Sequence, residues 1–284
     1  MNIKTISSLR AVLHPFYLVA LCFILLGYGC QKNEQTPTDP AKDKENPKDP
    51  EKPGPPAKVI MVPSRINSDN LRTEFKYEEE TARLNEIVQS DGILTKFLYR
   101  PDGSPSRYER YKDSKIQQSL EYMVNKEGQI YKIFLFDSKD NTMGSWSITY
   151  DEEKRIKQLK KYGIDSKLSE EENISYDGLG NAISVVLTKN TKTTTMSTGY
   201  DERQGIYQQI SYVQLLFLTH STPQQPRTLL SKTNPLSVDY LPVSTAGTTY
   251  AYEYNSNNYP SSLQVKQGTS TEMIKITYKT IKPK

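Results

Sequence analysis

Tyrosine closes eight alternating apolar runs of this chain, at Tyr77, Tyr99, Tyr122, Tyr150, Tyr176, Tyr200, Tyr254 and Tyr278, with intervals of 22, 23, 28, 26, 24, 54 and 24 residues. A period of that length marks one supersecondary unit repeated along a chain. Within a unit, Trp146, Ile148 and Tyr150 alternate with Ser145, Ser147 and Thr149, which puts large residues on one face of a strand and hydroxyls on the other. Turn-forming stretches follow the runs: PDGSPS at 101–106, NKEG at 125–128, DEEK at 151–154, DGLGN at 177–181 and NSNNYP at 255–260. Gly, Asn, Asp and Pro in these stretches reach positive φ or preset a reversal. Ile183, Val185 and Leu187 then resume the alternation, so the unit is a β-hairpin. Single hairpins are marginal in water, whereas seven or eight in series cover one another's edges and apolar faces.

The expected fold is therefore all-β: an antiparallel meander of hairpin repeats, strongly curved or barrel-like, over residues 59–284. Runs such as Met273–Tyr278 place Lys, Ser, Thr or Glu on one face. A membrane barrel presents an apolar band there instead, so the expected meander is water-soluble. The pattern lapses over 201–247, where Ile206, Tyr207, Ile210, Val213, Leu215, Leu216, Phe217 and Leu218 are crowded together. A short helix near 206–220, plugging or capping one end of the sheet, is the expectation there, with a buried strand pair as the alternative.

The first 58 residues have a different composition. Lys4 and Arg10 precede an apolar run from Phe16 to Leu26, followed by Gly27, Tyr28, Gly29 and Cys30. Eleven residues at helical rise fall short of a bilayer core of about 30 Å, which marks an export signal. The run ending in Gly29-Cys30 resembles a bacterial lipoprotein signal over residues 1–29. The resemblance implies cleavage after Gly29, acylation of Cys30 and attachment to a membrane through lipid. Residues 31–58 hold seven prolines, six acidic and six basic residues and no aromatic or branched aliphatic residue. Such a segment buries too little apolar surface to offset its ordering entropy, so 30–58 is expected to be a lipidated cysteine followed by an extended spacer. Gln31, Lys32, Asn33 and Glu34 resemble the tag that sends Bacteroidota lipoproteins to the cell surface, which implies an outer-membrane, surface-exposed location.

Tyr150-Asp151 through Arg155, Ile156 and Leu159, and Tyr176-Asp177 through Gly180-Asn181, are similar to the tyrosine-aspartate repeats of RHS-type proteins. The closing unit Tyr252, Tyr254, Asn255, Tyr259 and Pro260, behind an anchor and a proline spacer, is similar to Bacteroidota surface lipoproteins carrying a porin-like domain of unknown function. Tyr77, Tyr99, Tyr122 and Tyr254 depart from the tyrosine-aspartate pair, being followed by Glu, Arg, Met and Asn. The family brings no catalytic residues with it.

Little else points to chemistry. Once Cys22 leaves with the signal and Cys30 carries lipid, no thiol remains, and His220 is the single histidine of the mature chain. Triads and histidine-rich metal centres need more, so no metal or cofactor is expected. Removing Lys4 and Arg10 leaves 35 basic against 33 acidic residues, too small an excess for phosphate-backbone binding, which argues against nucleic acid. Glu170, Glu171 and Glu172 read as a solvated loop, and Asp137, Asp140 and Asn141 as a turn lacking the ligand pattern of a calcium loop. Aromatics remain: Trp146, Tyr250 and Tyr252, with Tyr108 and Tyr111, could stack on sugars or could be cross-strand core. The expected function is a non-enzymatic scaffold or binding module for a protein or glycan. An accessory glycan-binding protein of a nutrient-uptake system is the alternative, and a carboxylate-based glycoside hydrolase the third. A row of exposed rings would favour glycans; buried rings would favour scaffold or protein binding.

Overall fold

The computed structural model describes residues 59–213, 229–242 and 247–283. The signal segment, Cys30, the Gln31–Glu34 tag, the spacer and His220 lie outside the described residues. Sixteen strands follow one another: β1 (Ile60–Asn67), β2 (Arg72–Tyr77), β3 (Leu84–Gln89), β4 (Ile93–Tyr99), β5 (Pro105–Lys112), β6 (Lys115–Val124), β7 (Ile130–Asp137) and β8 (Thr142–Tyr150). The second half comprises β9 (Ile156–Gly163), β10 (Leu168–Tyr176), β11 (Ala182–Lys189), β12 (Lys192–Tyr200), β13 (Pro235–Leu241), β14 (Thr248–Tyr254), β15 (Pro260–Gln267) and β16 (Ser270–Ile281). Each pairs antiparallel with its neighbours in sequence, and β1 pairs with β16, so the meander closes into a barrel.

Period-two alternation decides which face looks inward. Cross-strand partners share a face, and the rows Phe97–Tyr108–Leu120, Ile148–Leu159 and Ile174–Val185–Met196 are in register and buried. The interior is thus the apolar face. Outward positions carry cross-strand ion pairs, Arg65–Glu74 at 3.3 Å, Lys76–Glu86 at 3.0 Å, Arg107–Glu121 at 2.8 Å and Lys160–Glu171 at 3.8 Å. These pairs are solvated and contribute little stability one by one.

One end of the barrel is built from a repeated local device. Here the strand-closing tyrosine follows a β-bulge and lies opposite the first residue of the returning strand, as Tyr150 does opposite Ile156 and Tyr176 opposite Ala182. Its hydroxyl then donates across to the previous hairpin: Tyr77 to the Pro63 carbonyl, Tyr99 to Leu84, Tyr150 to Ile130, Tyr176 to Ile156 and Tyr200 to Ala182, all at 2.7–2.8 Å. The bulge also turns Ile183 outward, where it is exposed.

The next residue holds the turn. Asp177 accepts from the backbone N–H of Leu179 and Asn181 and from the Asn181 side-chain amide at 2.8–3.0 Å. Asn125 and Asn255 accept equivalent backbone bonds in their turns. The fourth turn residue has positive φ, +90° at Gly180 and +78° at Gly128, where glycine carries no Cβ penalty. Partial burial opposes the charge of Asp177, but the Asn181 bonds outweigh it and hold the carboxyl below its ordinary pKa.

One expectation needs correction. Tyr122 is not the closing residue of its unit; Val124 is, following the bulge and lying opposite Ile130. Val124 has no hydroxyl, and Arg100 substitutes for it by donating to the Pro105 and Tyr122 carbonyls. Tyr122 sits one inward position deeper, 1% exposed, and its hydroxyl has no hydrogen-bond partner. Of the span near 206–220, where a short helix is expected, 214–220 lie outside the described residues, and Val213 at the described edge is helical. Residues 206–212 form successive turns, with Gln208 N–H donating to Gly205 and Ile210 N–H to Tyr207. Packing accompanies the turns: Tyr207 and Tyr212 turn to different partners, Phe75 at 6.3 Å and Tyr99 at 6.4 Å between ring centres, and Tyr212 takes φ of +56°.

Two measurements test this account. Tyr150→Phe strands the Ile130 carbonyl and should lower stability by about 1 kcal/mol in urea titration, whereas the same change at Tyr122 removes an unsatisfied buried hydroxyl and should be neutral or stabilising. Burial raises the pKa of Tyr77, Tyr99, Tyr150, Tyr176 and Tyr200, the last to about 12. A raised folded pKa means stability that is complete below the unfolded value near 10 and falls as pH climbs above it. Alkaline titration should therefore show phenolate absorbance and loss of β circular dichroism in one cooperative step above about pH 10.

Candidate functional site

The doubled interval between Tyr200 and Tyr254 is one ordinary hairpin, β13–β14, preceded by an enlarged turn. Tyr200-Asp201 is a third tyrosine-aspartate pair, and its turn is closed by Asn234 as the Asp177 turn is closed by Asn181. Asp201 N–H donates to the Asn234 carbonyl, Asn234 N–H donates to Asp201 Oδ1, and Asn234 Nδ2 donates to Asp201 Oδ2 at 3.2 Å. The corresponding Asp177–Asn181 bonds are the same three. Residues 202–233 thus occupy the place that 178–180 fill elsewhere. Tyr254 donates to Asp201, and the Arg203 guanidinium lies 4.2 Å from the centre of the Tyr254 ring.

The returning leg of this insertion is latched onto the neighbouring turn. Asn181 Oδ1 accepts from Lys232 N–H, Thr233 N–H and the Thr233 hydroxyl at 3.0–3.1 Å, while its amide holds Asp177. Asn181 is 1% exposed, so these bonds are shielded from water. Ser231 Oγ donates to the Tyr200 hydroxyl at 2.7 Å and accepts from Ala182 N–H at 3.0 Å. On the outgoing leg, Gly205 N–H donates to the Lys232 carbonyl at 2.9 Å. A Cβ on Gly205 would sit 2.7 Å from that oxygen, so the two legs approach closely only because this residue is glycine.

A cavity of about 160 Å³ lies between this insertion and the barrel wall. Ile206, Tyr207 and Leu229 line it from the insertion, and Ile66, Tyr250, Tyr252, Leu263, Ile274 and Ile276 from β1, β14, β15 and β16. Two of the three sequence-predicted aromatics, Tyr250 and Tyr252, therefore face the interior. Burial lifts the phenol of Tyr250 to about 12 and that of Tyr252 further, so both remain neutral hydroxyls. The space is partly open to solvent and mainly apolar in its lining. The latch explains how it persists, since the insertion is fixed by hydrogen bonds and cannot slide inward to fill it.

Trp146 also faces inward, in the row Ile133–Trp146–Lys161–Glu170–Lys189. Its indole N–H is buried with no hydrogen-bond partner, and the Lys161 ammonium lies 5.8 Å from its ring centre. Glu170 bridges Lys161 at 3.7 Å and Lys189 at 2.8 Å. Partial burial opposes its charge, but the two lysines outweigh it and keep the carboxyl below the ordinary range. Glu170, Glu171 and Glu172 are thus strand residues of β10, not the solvated loop expected from sequence: Glu170 and Glu172 face inward and Glu171 outward. Alternation splits a run of like charges between two faces, which relieves their repulsion. Asp137 accepts from Lys139 and Asn141 N–H as a turn cap, and Asp140 pairs with Arg107 at 3.2 Å. Among the described residues no group of three or more His, Cys, Asp or Glu side chains could hold a metal ion. Tyr108 is buried, and Tyr111 faces outward and donates to Glu109.

Sequence reasoning missed Asn181, Asp201 and Asn234. The signal was present in part, because Tyr200-Asp201 repeats the pair at Tyr176-Asp177, but Asn234 could be joined to it only through space.

No family model and no curated protein matches the chain. Solved structures do. A protein of Bacteroides uniformis ATCC 8492 described as porin-like superposes with a TM-score of 0.53 at 15% identity, over 80% of this chain and 98% of that one. A porin-like protein of Bacteroides vulgatus ATCC 8482 gives 0.41 at 12% identity, over 77% of this chain and 99% of that one. The Tc holotoxin pore of Photorhabdus luminescens gives 0.29 at 12% identity, over 73% of this chain and 9% of that one. The first comparison, with the topology above, places the fold in the class of closed antiparallel barrels of porin-like architecture.

Asn181→Ala should release the returning leg. Limited proteolysis within 202–233 is expected to quicken while the β circular dichroism signal is retained, with global stability lower by about 2 kcal/mol.

Proposed function

We propose that this protein is a lipid-anchored outer-membrane protein, displayed at the cell surface, whose barrel stands in water and serves as a non-catalytic scaffold or binding module for a protein or glycan. One observation carries the reading: the barrel wall has the opposite polarity to a membrane barrel. Its buried apolar residues point inward, and although a few such as Leu98, Ile183 and Met273 stay exposed, Arg65, Lys76, Arg107 and Lys160 point outward in ion pairs. A lysine or arginine on the lipid face costs about 2–4 kcal/mol at the bilayer midplane, so a wall carrying several is unsuited to spanning. Such a barrel needs another means of staying at a membrane. Acylation of Cys30 supplies it, and the proline-rich segment 31–58 sets the barrel off from the lipid surface.

Placement of the aromatics favours a protein partner or scaffold over the accessory glycan-binding alternative, because Trp146, Tyr250 and Tyr252 turn into the barrel instead of forming an exposed row. The hydrolase reading is weaker again. A glycosidase acid needs a raised pKa, while Glu170 is held low between two lysines.

Cys30→Ser should move the protein from the membrane pellet to the soluble fraction on cell fractionation. Replacing Lys32, Asn33 and Glu34 by Ala together should leave it membrane-bound but protected when intact cells are treated with protease. Pelleting unchanged in the Cys30 variant would remove the anchor from the proposal.

A further inference from the structure

We infer that the cavity between the insertion and the β14–β15–β16–β1 wall is a binding site for one small, rigid, mainly apolar molecule of about benzene to indole size. Ligand sites are concave and mainly apolar with a few placed polar groups, and this recess, partly open to solvent and mainly apolar in its lining, measures about 160 Å³, room for one guest of this kind. Among its polar neighbours, Ser231 is committed to Tyr200 and Ala182, Thr233 to Asn181, and Asn234 to Asp201 and Gln204, and the phenols of Tyr207, Tyr250 and Tyr252 also line the recess. What they offer a guest is therefore a fixed frame, and the surface it meets is aliphatic side chain and tyrosine ring. Sugars and other polyhydroxylated molecules are disfavoured, because a mainly apolar lining replaces few of the hydrogen bonds they give up to water. The Asn181 and Asn234 latches make the site preformed, so binding needs no reordering of the chain and the entropic cost of association is reduced.

This inference does not depend on acylation of Cys30, which allows a detergent-free test on the full-length chain carrying Cys30→Ser. Indole would be titrated in, with saturation followed by ligand-observed NMR and the unfolding midpoint by circular dichroism. Saturable binding and a midpoint higher by about 4 °C at ten times the dissociation constant are expected. Ile274→Phe, filling the void from the wall, and Ile206→Phe, filling it from the insertion, should each weaken binding at least about tenfold. Using two variants on opposite sides keeps the test open if one of them fails to fold. Inositol, as a polar control, should produce no shift. Absence of saturable indole binding, or binding that survives in a folded filling variant, overturns the assignment.

Discussion

The seam between β1 and β16 is the pairing on which the rest of the molecule depends. A meander of hairpins leaves two open edges with unpaired N–H and C=O groups, and those edges invite pairing with other chains. Here Ile60 lies opposite Ile281 and Ile66 opposite Ile276, so the first and last strands satisfy each other. Closure converts an alternating sheet face into an interior. It also sets a problem, since barrels of this strand number ordinarily enclose a channel. An apolar channel there would expose to water the surface that drove folding.

Two local devices let the same hairpin be used around the ring. The tyrosine hydroxyl ties each strand end to the hairpin before it, and the following Asp or Asn ties the turn to itself. Substitutions within the scheme keep the bonding and change the donor, as when Arg100 supplies what Val124 lacks. The enlarged turn after Tyr200 follows from the same chemistry. Because an Asp–Asn pair closes the turn at its base, the residues between are free to grow, and growth directed inward places Ile206, Tyr207, Ile210 and Leu229 where the barrel interior needs apolar filling.

The interior that results is graded. Near the tyrosine end it is closed by rings and by the insertion, and further along the strands it becomes charged, with Lys161, Glu170 and Lys189 facing inward. The outer wall carries ion pairs interspersed with apolar side chains, as where Leu98 and Phe134 flank the Arg107–Glu121 pair. That distribution concentrates apolar, preformed space at one latched position.

Much of the architecture was legible in the sequence for a physical reason. Period-two alternation and turn chemistry are local, so the strands, the turns at 125–129 and 177–181 and the apolar rows through Ile148 and Ile174 follow from residues near one another. Three matters were decided by tertiary structure alone. Whether the meander curls or closes depends on β1 meeting β16, more than two hundred residues away in sequence. Which residue ends a strand depends on where a bulge falls, and Tyr122 and Val124 are equally plausible closers until the partner strand sets the register. The insertion is the clearest case: over 206–212 contacts with Phe75 and Tyr99 accompany successive turns, and the returning leg is held at Asn181. The repeat and its polarity are written in neighbouring side chains and can be read without the fold; closure, register and the cavity depend on groups that only folding brings within bonding distance.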